Sequence, residues 1–430
     1  MKYPELKSAL FVKNRKKLIK FLQSNSLAVF HSSDQMHRNG DQYFPFRQDS
    51  DLFYLTGIDQ EKTILTLCSN HPNKDLREIL YIIESNEKIS TWEGHKYTKE
   101  EAQRTSGIKT IKFINEFEST FRELAIKAEN IYVNLNENPK FSPEALSANQ
   151  RFVKHLEENF PAHELERLAP IMQQIRLRKE AEEIELMREA SDITAKAFQR
   201  ILKFVKPGVT EYEVEAEITH EFICNKATGH AYPPIIASGK NACVLHYVEN
   251  NKACKNGDLL LMDFGAEYAN YAADCTRTIP VNGKFTPRQR ECYEAVLRVM
   301  KKAISWLTPG TTINRVNERV EKLLQEEHIK LGLYSQEDAD NQDSKKPLLK
   351  KYYPHGTCHF IGLDVHDVGE RITVLEEGMV LTCEPGIYIP EENIGIRIEN
   401  DIVVNLKPID LMEHIPKEVE EIENLMAERK

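Results

Sequence analysis

The chain has 430 residues, of which 41% are hydrophobic and 29% are charged, and its formal net charge is −10. This length exceeds what one hydrophobic core usually serves, so two domains are expected, and the composition excludes a disordered chain. An acidic balance without a long lysine or arginine cluster argues against nucleic acid or an anionic membrane as the main partner.

The N-terminal stretch mixes charged and apolar residues. This pattern predicts an amphipathic helix over 6–24 and a strand over 26–30 rather than a signal peptide. No run of about 18 apolar residues occurs, so no membrane-spanning helix is predicted. The eight cysteines form no CxxC pair and lie mostly in apolar segments. They indicate reduced thiols and a cytoplasmic location.

The first part of the chain alternates helix-like and strand-like segments, which predicts an α/β domain over residues 1–172. A polar helix is expected over 98–107, ended by Gly107 because glycine readily adopts the left-handed conformation of a helix end. Apolar runs bounded by turn residues predict buried strands at 62–70, 78–85 and 129–136.

The second part, residues 173–430, reads as an α+β catalytic domain. One long helix is predicted over 173–208, stopped by Pro207 and Gly208, and a second over 210–227, capped by Thr210. The remaining segments predict a sheet-rich region, a polar loop and a short helix in the tail. These are strands at 233–239, 258–268, 271–281, 372–390 and 395–405, helices at 287–307 and 312–333, the loop 334–347 and the tail helix 416–429.

Four carboxylates interrupt apolar strands, where a charge is costly: Asp263, Asp274, Glu384 and Glu399. Any one alone could be half-exposed or paired with a nearby arginine. Together with the histidine-rich stretch 355–366, they would repel one another unless cations neutralised them. Hard carboxylates with one imidazole suit Mn²⁺, Zn²⁺, Co²⁺ or Fe²⁺, and no cysteine pair has the spacing of thiolate ligands.

Five motifs in chain order resemble the pita-bread metallopeptidases, and most of all their proline-specific branch, the aminopeptidase P family. They are "VLHY", "LLLMDFGAEYANYAADCTRT", "HGTCHFIGLDVHD", "TCEPGIY" and "GIRIEND". The N-terminal "RNGDQYFPFRQDSDLFYLTG" and "TWEGHKYTKEEA" resemble the N-terminal domain of that family. The resemblance implies a C-terminal pita-bread domain and an N-terminal creatinase/prolidase-like α/β domain, which caps the substrate cleft and takes part in homodimers or homotetramers.

The resemblance also implies two divalent metal ions, foremost Mn²⁺, with Zn²⁺, Co²⁺ or Fe²⁺ as alternatives. By the family pattern, Asp263 chelates one metal, and Asp274 and Glu399 bridge both. His359 and Glu384 bind the other metal. A hydroxide held between the two metals would attack the carbonyl that precedes proline, since two cations lower the pKa of water towards about 7.

Three histidines are not ligands in that pattern. By resemblance, His246 stabilises the oxyanion, and His366 binds the substrate backbone or assists proton transfer. Glu384 carries the proton of the attacking water to the proline nitrogen. His355 is left between two interpretations, a residue beside the site or substrate pocket and a structural loop histidine.

Three further side chains are candidates for contacts around the site. Arg397 is expected to pair with Asp274 or Glu399, against the alternative of an ordinary cross-strand ion pair. Tyr388 is expected to donate a hydrogen bond near the metals, against simple packing. Trp92 resembles a family tryptophan that reaches the site of a neighbouring subunit, against packing in its own core.

The expected activity is release of the N-terminal residue from peptides with proline in second position. The nearest alternative is a prolidase, which cuts Xaa-Pro dipeptides only and shares all five metal ligands. A metal-free creatinase-like hydrolase would leave the five ligands unexplained. A peptide-binding protein without activity is a further alternative, although such proteins usually lose ligands and none is lost here.

Overall fold

The computed structural model describes residues 3–68 and 70–428. The chain divides into two compact units, an N-terminal unit, Pro4–Arg176, and a C-terminal unit that comprises residues 177–428 together with Tyr3. The boundary expected between residues 172 and 173 falls inside the helix Ala169–Leu177. Residues 1, 2, 69, 429 and 430, which several predicted segments include, lie outside the described residues.

The N-terminal unit is a mixed sheet with helices. Its strands are β1 Ser26–His31, β2 His37–Asn39, β3 Gln42–Tyr43, β4 Ile64–Leu67, β5 Glu78–Ile82, β6 Thr110–Phe113, β7 Asn130–Val133 and β8 Glu164–Arg167. Its helices are α1 Ser8–Ile19, α2 Ser50–Thr56, α3 Glu87–Glu93, α4 Lys99–Ser106, α5 Phe117–Ala125, α6 Ala148–Asn159 and α7 Ala169–Leu177. Six strands form one sheet in the order β6-β5-β4-β1-β7-β8, and β2 pairs with β3 in a separate hairpin.

Apolar side chains of this sheet build the core of the N-terminal unit. Leu27 and Val29 of β1 pack with Ile131 of β7 and with Phe121 and Leu156 of α5 and α6. These strands read as continuous apolar runs because both faces of a central strand are covered. The strands predicted at 62–70, 78–85 and 129–136 are confirmed, each shorter than expected.

Helix α4 is bounded as its sequence predicts. Thr98 N donates to the Glu101 carboxylate over 2.9 Å, and Glu101 N donates to Thr98 Oγ1 over 3.2 Å, which closes a reciprocal cap. Gly107 ends the helix at φ 71°. A side chain there would be strained in the left-handed region, and its Cβ would lie 2.7 Å from Val12 Cγ2.

The C-terminal unit combines small antiparallel sheets with helices. Its strands are β9 Gly229–His230, β10 Ile235–Ser238, β11 Leu259–Asp263, β12 Ala266–Tyr268, β13 Tyr271–Ala272, β14 Thr276–Pro280, β15 Val380–Cys383, β16 Gly386–Ile389, β17 Ile394–Arg397, β18 Asn400–Val403 and β19 Ile409–Asp410. Its helices are α8 Ala181–Phe204, α9 Glu211–Cys224, α10 Pro287–Ile304, α11 Ile313–Lys330, α12 Gln336–Asp340, α13 Leu348–Tyr352 and α14 Val419–Ala427. The sheets have the orders β10-β11-β14, β13-β12-β9, β15-β18-β19 and β16-β17.

The single helix predicted over 173–208 is wrong. The segment forms two helices, α7 and α8, because the backbone leaves the helix at 178–180: Lys179 N donates to Gly378 O over 2.8 Å. Glu180 N donates to the Glu183 carboxylate over 2.8 Å and caps the start of α8. Periodicity continues across this break, so the sequence pattern alone does not reveal it.

Two other segments differ in detail from their predictions. The polar loop expected over 334–347 contains the short helix α12, which Ser335 caps by accepting from Asp338 N over 3.1 Å. The tail helix predicted over 416–429 is confirmed as α14, Val419–Ala427. Within residues 3–68 and 70–428, none of the helices combines the length and the apolarity needed to cross a bilayer.

A buried arginine connects the strands that carry the site. Arg277 of β14 is fully buried, and it donates to the carbonyl of Glu399 over 2.7 Å and to Asn400 Oδ1 over 2.7 Å. These bonds satisfy backbone and side-chain oxygens at the turn between β17 and β18. They bring the 397–400 segment against β14, although more than 100 residues separate the two in sequence.

Candidate active site

Two of the predicted ligands meet at the end of one strand pair. Strands β11 and β14 are antiparallel, with Asp263 opposite Thr276, and Asp274 lies two residues before β14 begins. Tyr232 Oη lies 2.6 Å from Asp263 Oδ1 and 2.6 Å from Asp274 Oδ1. A phenol carries one proton, so it cannot donate to both carboxylates at once, and the second contact needs another proton or a cation.

The histidine and a third carboxylate come from a neighbouring pair of segments. Thr382 N donates to His359 O over 2.9 Å, which aligns the histidine loop with β15, and Glu384 follows that strand. His359 Nε2 lies 3.4 Å from Asp274 Oδ2 and 3.8 Å from Glu384 Oε1. His359 Nδ1 donates to the carbonyl of Phe360 over 3.0 Å, which leaves Nε2 to face the carboxylates.

Glu399 closes the cluster from the turn between β17 and β18. Its carboxylate accepts from Thr276 Oγ1 over 2.6 Å. Ligand atoms of Asp274, His359 and Glu399 all lie within 4.8 Å of one another, a separation that one metal ion can span. The structure therefore brings the five predicted ligands into one connected group.

Burial and mutual repulsion raise the pKa of Asp263, Glu384 and Glu399. Burial is the main cause for Asp263, with Asp274 adding to the shift and Arg397 opposing it. Burial, opposed by His359, raises the pKa of Glu384 to about 7, and burial with the charge of Asp274 raises the pKa of Glu399 well above its usual value. Carboxyl groups gathered in so little solvent resist ionisation unless positive charge joins them.

The carboxylates around His359 favour its protonated form. Burial acts to lower its pKa, but the hydrogen bond with Asp274 and the charge of Glu384 outweigh burial and raise the pKa to about 9. The surroundings of Nε2 thus attract a positive charge. Four carboxylates and one imidazole with its Nε2 turned inward fit divalent cations of the Mn²⁺, Zn²⁺, Co²⁺ or Fe²⁺ type.

Arg397 has a different partner from the one expected. Its Nη2 lies 2.7 Å from Asp263 Oδ2, whereas Asp274 or Glu399 was predicted. Its Nε donates over 3.0 Å to Thr276 Oγ1, which in turn donates to Glu399. The Thr276 hydroxyl group of β14 therefore links the arginine to Glu399 by hydrogen bonds.

A chain of hydrogen bonds runs from Arg397 to His355. Arg397 Nη1 donates to Tyr388 Oη over 2.9 Å, and Tyr388 Oη lies 2.8 Å from His355 Nε2. His355 Nδ1 donates to Gly356 O over 2.7 Å, so Nε2 accepts from Tyr388. Burial and the charge of Arg397 lower the pKa of His355 to about 3, which keeps this ring neutral. His355 and Tyr388 therefore both lie beside the carboxylate cluster.

The other two histidines are exposed at the site. The rings of His366 and His359 are 4.5 Å apart between centroids and nearly perpendicular. His246 lies in a turn after the 3₁₀ helix Gly239–Cys243, and its charge contributes to the lowered pKa of His355. The ring of His366 thus lies against the predicted ligand His359, His246 lies within electrostatic range of His355, and both keep contact with solvent.

Trp92 belongs to the N-terminal unit. It lies on α3 and is 81% exposed, so it does not pack in the core of its own chain. Its predicted contact with a neighbouring subunit stays a prediction.

The structure adds residues that the motifs did not single out. Tyr232 and Thr276 hold three of the carboxylates, and fully buried Asp401 accepts from Asp274 N over 3.1 Å. Asp401 carries the signal that identified Glu399, a charged residue in an apolar strand. Tyr232 and Thr276 have no such signal, because neither carries a charge: Thr276 is an ordinary strand residue, and Tyr232 lies in the connection between β9 and β10.

Comparison with known proteins agrees with this geometry. The sequence profile described as metallopeptidase family M24 matches residues 185–405, and the profile described as aminopeptidase P, N-terminal domain, matches residues 11–132. The chain belongs to metallopeptidase family M24. Within M24 it belongs to the aminopeptidase P group, and the predicted fold, an N-terminal α/β domain with a C-terminal pita-bread domain, is confirmed.

Individual M24 relatives cover nearly the whole chain. A protein named Xaa-Pro aminopeptidase from Haemophilus influenzae is 35% identical over 429 residues, which cover 97% of this chain and 96% of the relative. The structure of a putative aminopeptidase P from Bacillus anthracis superposes with a TM-score of 0.91 at 36% identity, covering 99% of each chain. Escherichia coli aminopeptidase P with the inhibitor Pro-Leu gives a TM-score of 0.88 at 32% identity, again covering 99% of each chain.

Proposed function

We propose that this chain is a metal-dependent aminopeptidase that releases the N-terminal residue from peptides with proline in second position. The observation that carries the proposal is the connected, largely buried group of four carboxylates and one imidazole. The chain belongs to the aminopeptidase P group. Relatives named Xaa-Pro aminopeptidase match it over nearly their full length.

The residues that would hold two divalent cations are Asp263, Asp274, His359, Glu384 and Glu399. Oxygen-rich ligands with one imidazole make Mn²⁺ the preferred choice, with Zn²⁺, Co²⁺ and Fe²⁺ as alternatives. When bound, such cations supply Lewis-acid activation of water and of the scissile carbonyl.

The remaining work falls to side chains of the protein. Glu384 takes the proton of the attacking water and delivers it to the proline nitrogen as the peptide bond breaks. His246 donates a hydrogen bond to the developing oxyanion, and His366 orients the substrate backbone beside His359. The neutral His355, held by Tyr388, forms the wall of the site next to Glu384. The Nδ1 atom of His355 lies 3.6 Å from Oε2 of Glu384.

Peptides that differ in length and in their N-terminus test the activity. Purified protein loaded with Mn²⁺ is expected to hydrolyse a tripeptide Xaa-Pro-Xaa and to spare its N-acetylated form. Activity confined to the Xaa-Pro dipeptide would indicate a prolidase, and equal cleavage of the acetylated tripeptide would refute an aminopeptidase. Residues 1–172 are expected to cap the cleft and to leave room for one substrate residue before the scissile bond. This stays a prediction, and the acetylated peptide tests it as well.

A ligand substitution tests the metal assignment. Asp274→Asn is expected to reduce both the bound metal, measured by elemental analysis, and the hydrolysis of Xaa-Pro-Xaa to background. Asp192→Asn is the control, since it removes an exposed carboxylate from α8 in the same unit. Unchanged metal content in Asp274→Asn, together with an inactive parent protein, would favour a peptide-binding protein instead.

We propose further that the protein forms homodimers or homotetramers in the cytoplasm. The support for assembly is the exposure of Trp92 on α3 of the N-terminal unit, since large exposed aromatic side chains are frequent at protein interfaces. The support for the compartment is the cysteine pattern of the sequence. Light scattering of the wild type and of Trp92→Ala tests the first point, and a monomeric wild type would refute it.

A further inference from the structure

A buried carboxylate outside the metal cluster has an unusual number of donors. Glu211, the first residue of α9, is fully buried. Its Oε1 accepts from Ser238 N over 2.8 Å, from Ser238 Oγ over 2.7 Å and from Asn241 Nδ2 over 3.2 Å. Its Oε2 accepts from Tyr247 Oη over 2.8 Å and from Lys252 N over 2.9 Å. These bonds satisfy the charge that burial would otherwise make costly.

All of these donors belong to one segment, residues 238–252, here called the His246 segment. Its first residue, Ser238, ends β10, and beyond the 3₁₀ helix Gly239–Cys243 the rest of the segment has no helix or strand. Its polar backbone groups are therefore not ordered by a sheet ladder, and side chains must supply the missing bonds. The Glu211 carboxylate does this at both ends, for Ser238 N and Lys252 N, and between them it accepts from the side chains of Asn241 and Tyr247.

The side chains that flank His246 face inwards. Tyr247 is buried in an apolar cluster with Ile235, Leu261 and Tyr388, and Leu245 packs against that cluster. His246, placed between Leu245 and Tyr247, remains exposed and lies near enough for its charge to act on His355. The burial of Tyr247 thus fixes the backbone that carries His246.

A close backbone approach fixes the other side of the segment. Ala242 lies directly on β17: a Cβ added to Gly395 would come within 2.2 Å of Ala242 O. Cys243 Sγ donates to Ile394 O over 3.4 Å. The segment is therefore held between the Glu211 carboxylate and the strand that ends in Arg397.

We propose that Glu211 is a positioning residue that holds His246 in place for the oxyanion of the reaction. The inference rests on the proposed aminopeptidase activity and assigns a function to a residue whose carboxylate bonds to the His246 segment. The alternative is that Glu211 stabilises the fold without any connection to His246. Burial and the bond to Glu211 raise the pKa of Tyr247 to about 12, so Tyr247 remains a donor throughout the working pH range.

A double-mutant cycle separates the two possibilities. Glu211→Gln replaces one acceptor oxygen by an NH₂ group, which cannot accept the hydrogen bonds offered there. The substitution is expected to lower kcat for Xaa-Pro-Xaa by roughly 10- to 100-fold with little change in KM. In a His246→Ala background, the same substitution is expected to change kcat by less than about twofold, because the group it positions is already gone. Equal losses in both backgrounds would overturn the proposal.

Tyr247→Phe gives a second, milder cycle if Glu211→Gln folds poorly. It removes one of the donors beside His246 and is expected to lower kcat to a smaller extent, again only when His246 is present. Glu213→Gln is the matched control, since it removes an exposed carboxylate from the same helical turn. It is expected to leave kcat and KM unchanged.

Hydrogen exchange gives a readout that does not depend on activity. In metal-free protein, Glu211→Gln is expected to accelerate amide exchange in residues 238–252, whereas Glu213→Gln leaves that segment at the wild-type rate. Unchanged exchange in Glu211→Gln would overturn the proposal. A His246→Ala variant with wild-type kcat would refute the assigned role of His246, whereas an inactive wild type would refute the proposed function itself.

Discussion

Single side chains set the charge balance of the site. Arg397 is a buried cation that contacts Asp263, Tyr388 and Thr276, each through a different nitrogen of its guanidinium group. Its charge opposes the rise in the pKa of Asp263 and so helps that carboxylate to remain ionised. The planar fork is what allows one residue to hold a ligand, a tyrosine and a threonine together.

Arg397→Lys is therefore expected to be far from conservative. A lysine cannot make all three contacts, so Asp263 and Tyr388 lose their alignment, and the affinity for Mn²⁺ should fall by about 10- to 100-fold. Activity measured against Mn²⁺ concentration gives the affinity. Arg288→Lys is the control, because Arg288 makes a two-bond fork with Glu392 at the surface. Equal affinity in Arg397→Lys and wild type would contradict the assigned role.

At the scale of elements, the site depends on irregular segments that long-range contacts hold in place. The loop that carries His366 closes on itself where Asp367 N donates to Phe360 O over 2.9 Å. Lys179 Nζ contacts Asp367 Oδ2 over 2.8 Å, and both side chains are only 1% exposed. Lys179 comes from the break between α7 and α8, so the feature that ends one helix also anchors the loop.

Lys179→Met is expected to destabilise the protein by about 3–5 kcal/mol, because it leaves the Asp367 charge buried without its partner. Urea unfolding measures the loss. The neighbouring Arg178 offers a matched control, since its ion pair with Glu376 is 61% and 57% exposed. Arg178→Met should cost about 0–1 kcal/mol. Similar losses of unfolding free energy in the two variants would show that the buried ion pair stabilises the protein no more than the exposed one.

A glycine sets how closely two strands of the site approach. A Cβ on Gly265, between β11 and β12, would lie 1.7 Å from Ala273 O, next to Asp274. Gly265→Ala is expected to lower the free energy of unfolding by at least about 1–3 kcal/mol and to reduce metal affinity, because backbone must move. Gly229→Ala is the control, since a Cβ there meets nothing within 4 Å, and it should change stability by less than about 0.5 kcal/mol. A wild-type urea midpoint for Gly265→Ala would contradict this prediction.

At the scale of the whole molecule, each unit buries histidines that have no part in the site. His328 of the C-terminal unit is fully buried, and His31 of the N-terminal unit and His230 of the C-terminal unit are half-buried. Loss of solvent lowers the pKa of each to about 4. Between that pH and the ordinary histidine pKa of about 6.5, the unfolded chain binds more protons than the folded one. Their contribution to stability is complete above pH 6.5 and is lost as the pH falls towards 4.

The pH dependence of unfolding is expected to show this loss. In protein freed of metal by a chelator, the urea concentration at the unfolding midpoint should fall as the pH is lowered from about 6.5 to about 4. His328→Phe should show a shallower fall, whatever its stability at neutral pH, because one buried proton acceptor has been removed. Every other titrating group is common to both proteins, so identical slopes would show that burial does not lower the pKa of His328.

Much of the site follows from local sequence chemistry. Asp274 and Glu399 could be selected as candidates because carboxylates on apolar strands are costly, and the order of the motifs indicated the family. Helix α4 followed from Thr98 and Gly107, whose effects are local. The break between α7 and α8 could not be predicted, because it depends on a bond from Lys179 to Gly378, almost 200 residues away.

The sequence by itself determined which residue types would gather and what chemistry they could perform, because charge, periodicity and turn preference act over a few residues. Only the tertiary structure decided which side chains contact one another. It paired Arg397 with Asp263, placed His355 beside Tyr388, and anchored the His246 segment on Glu211. These choices depend on strand register and on approaches between distant segments, and a shift of one residue in register would exchange the inward and outward faces of a strand.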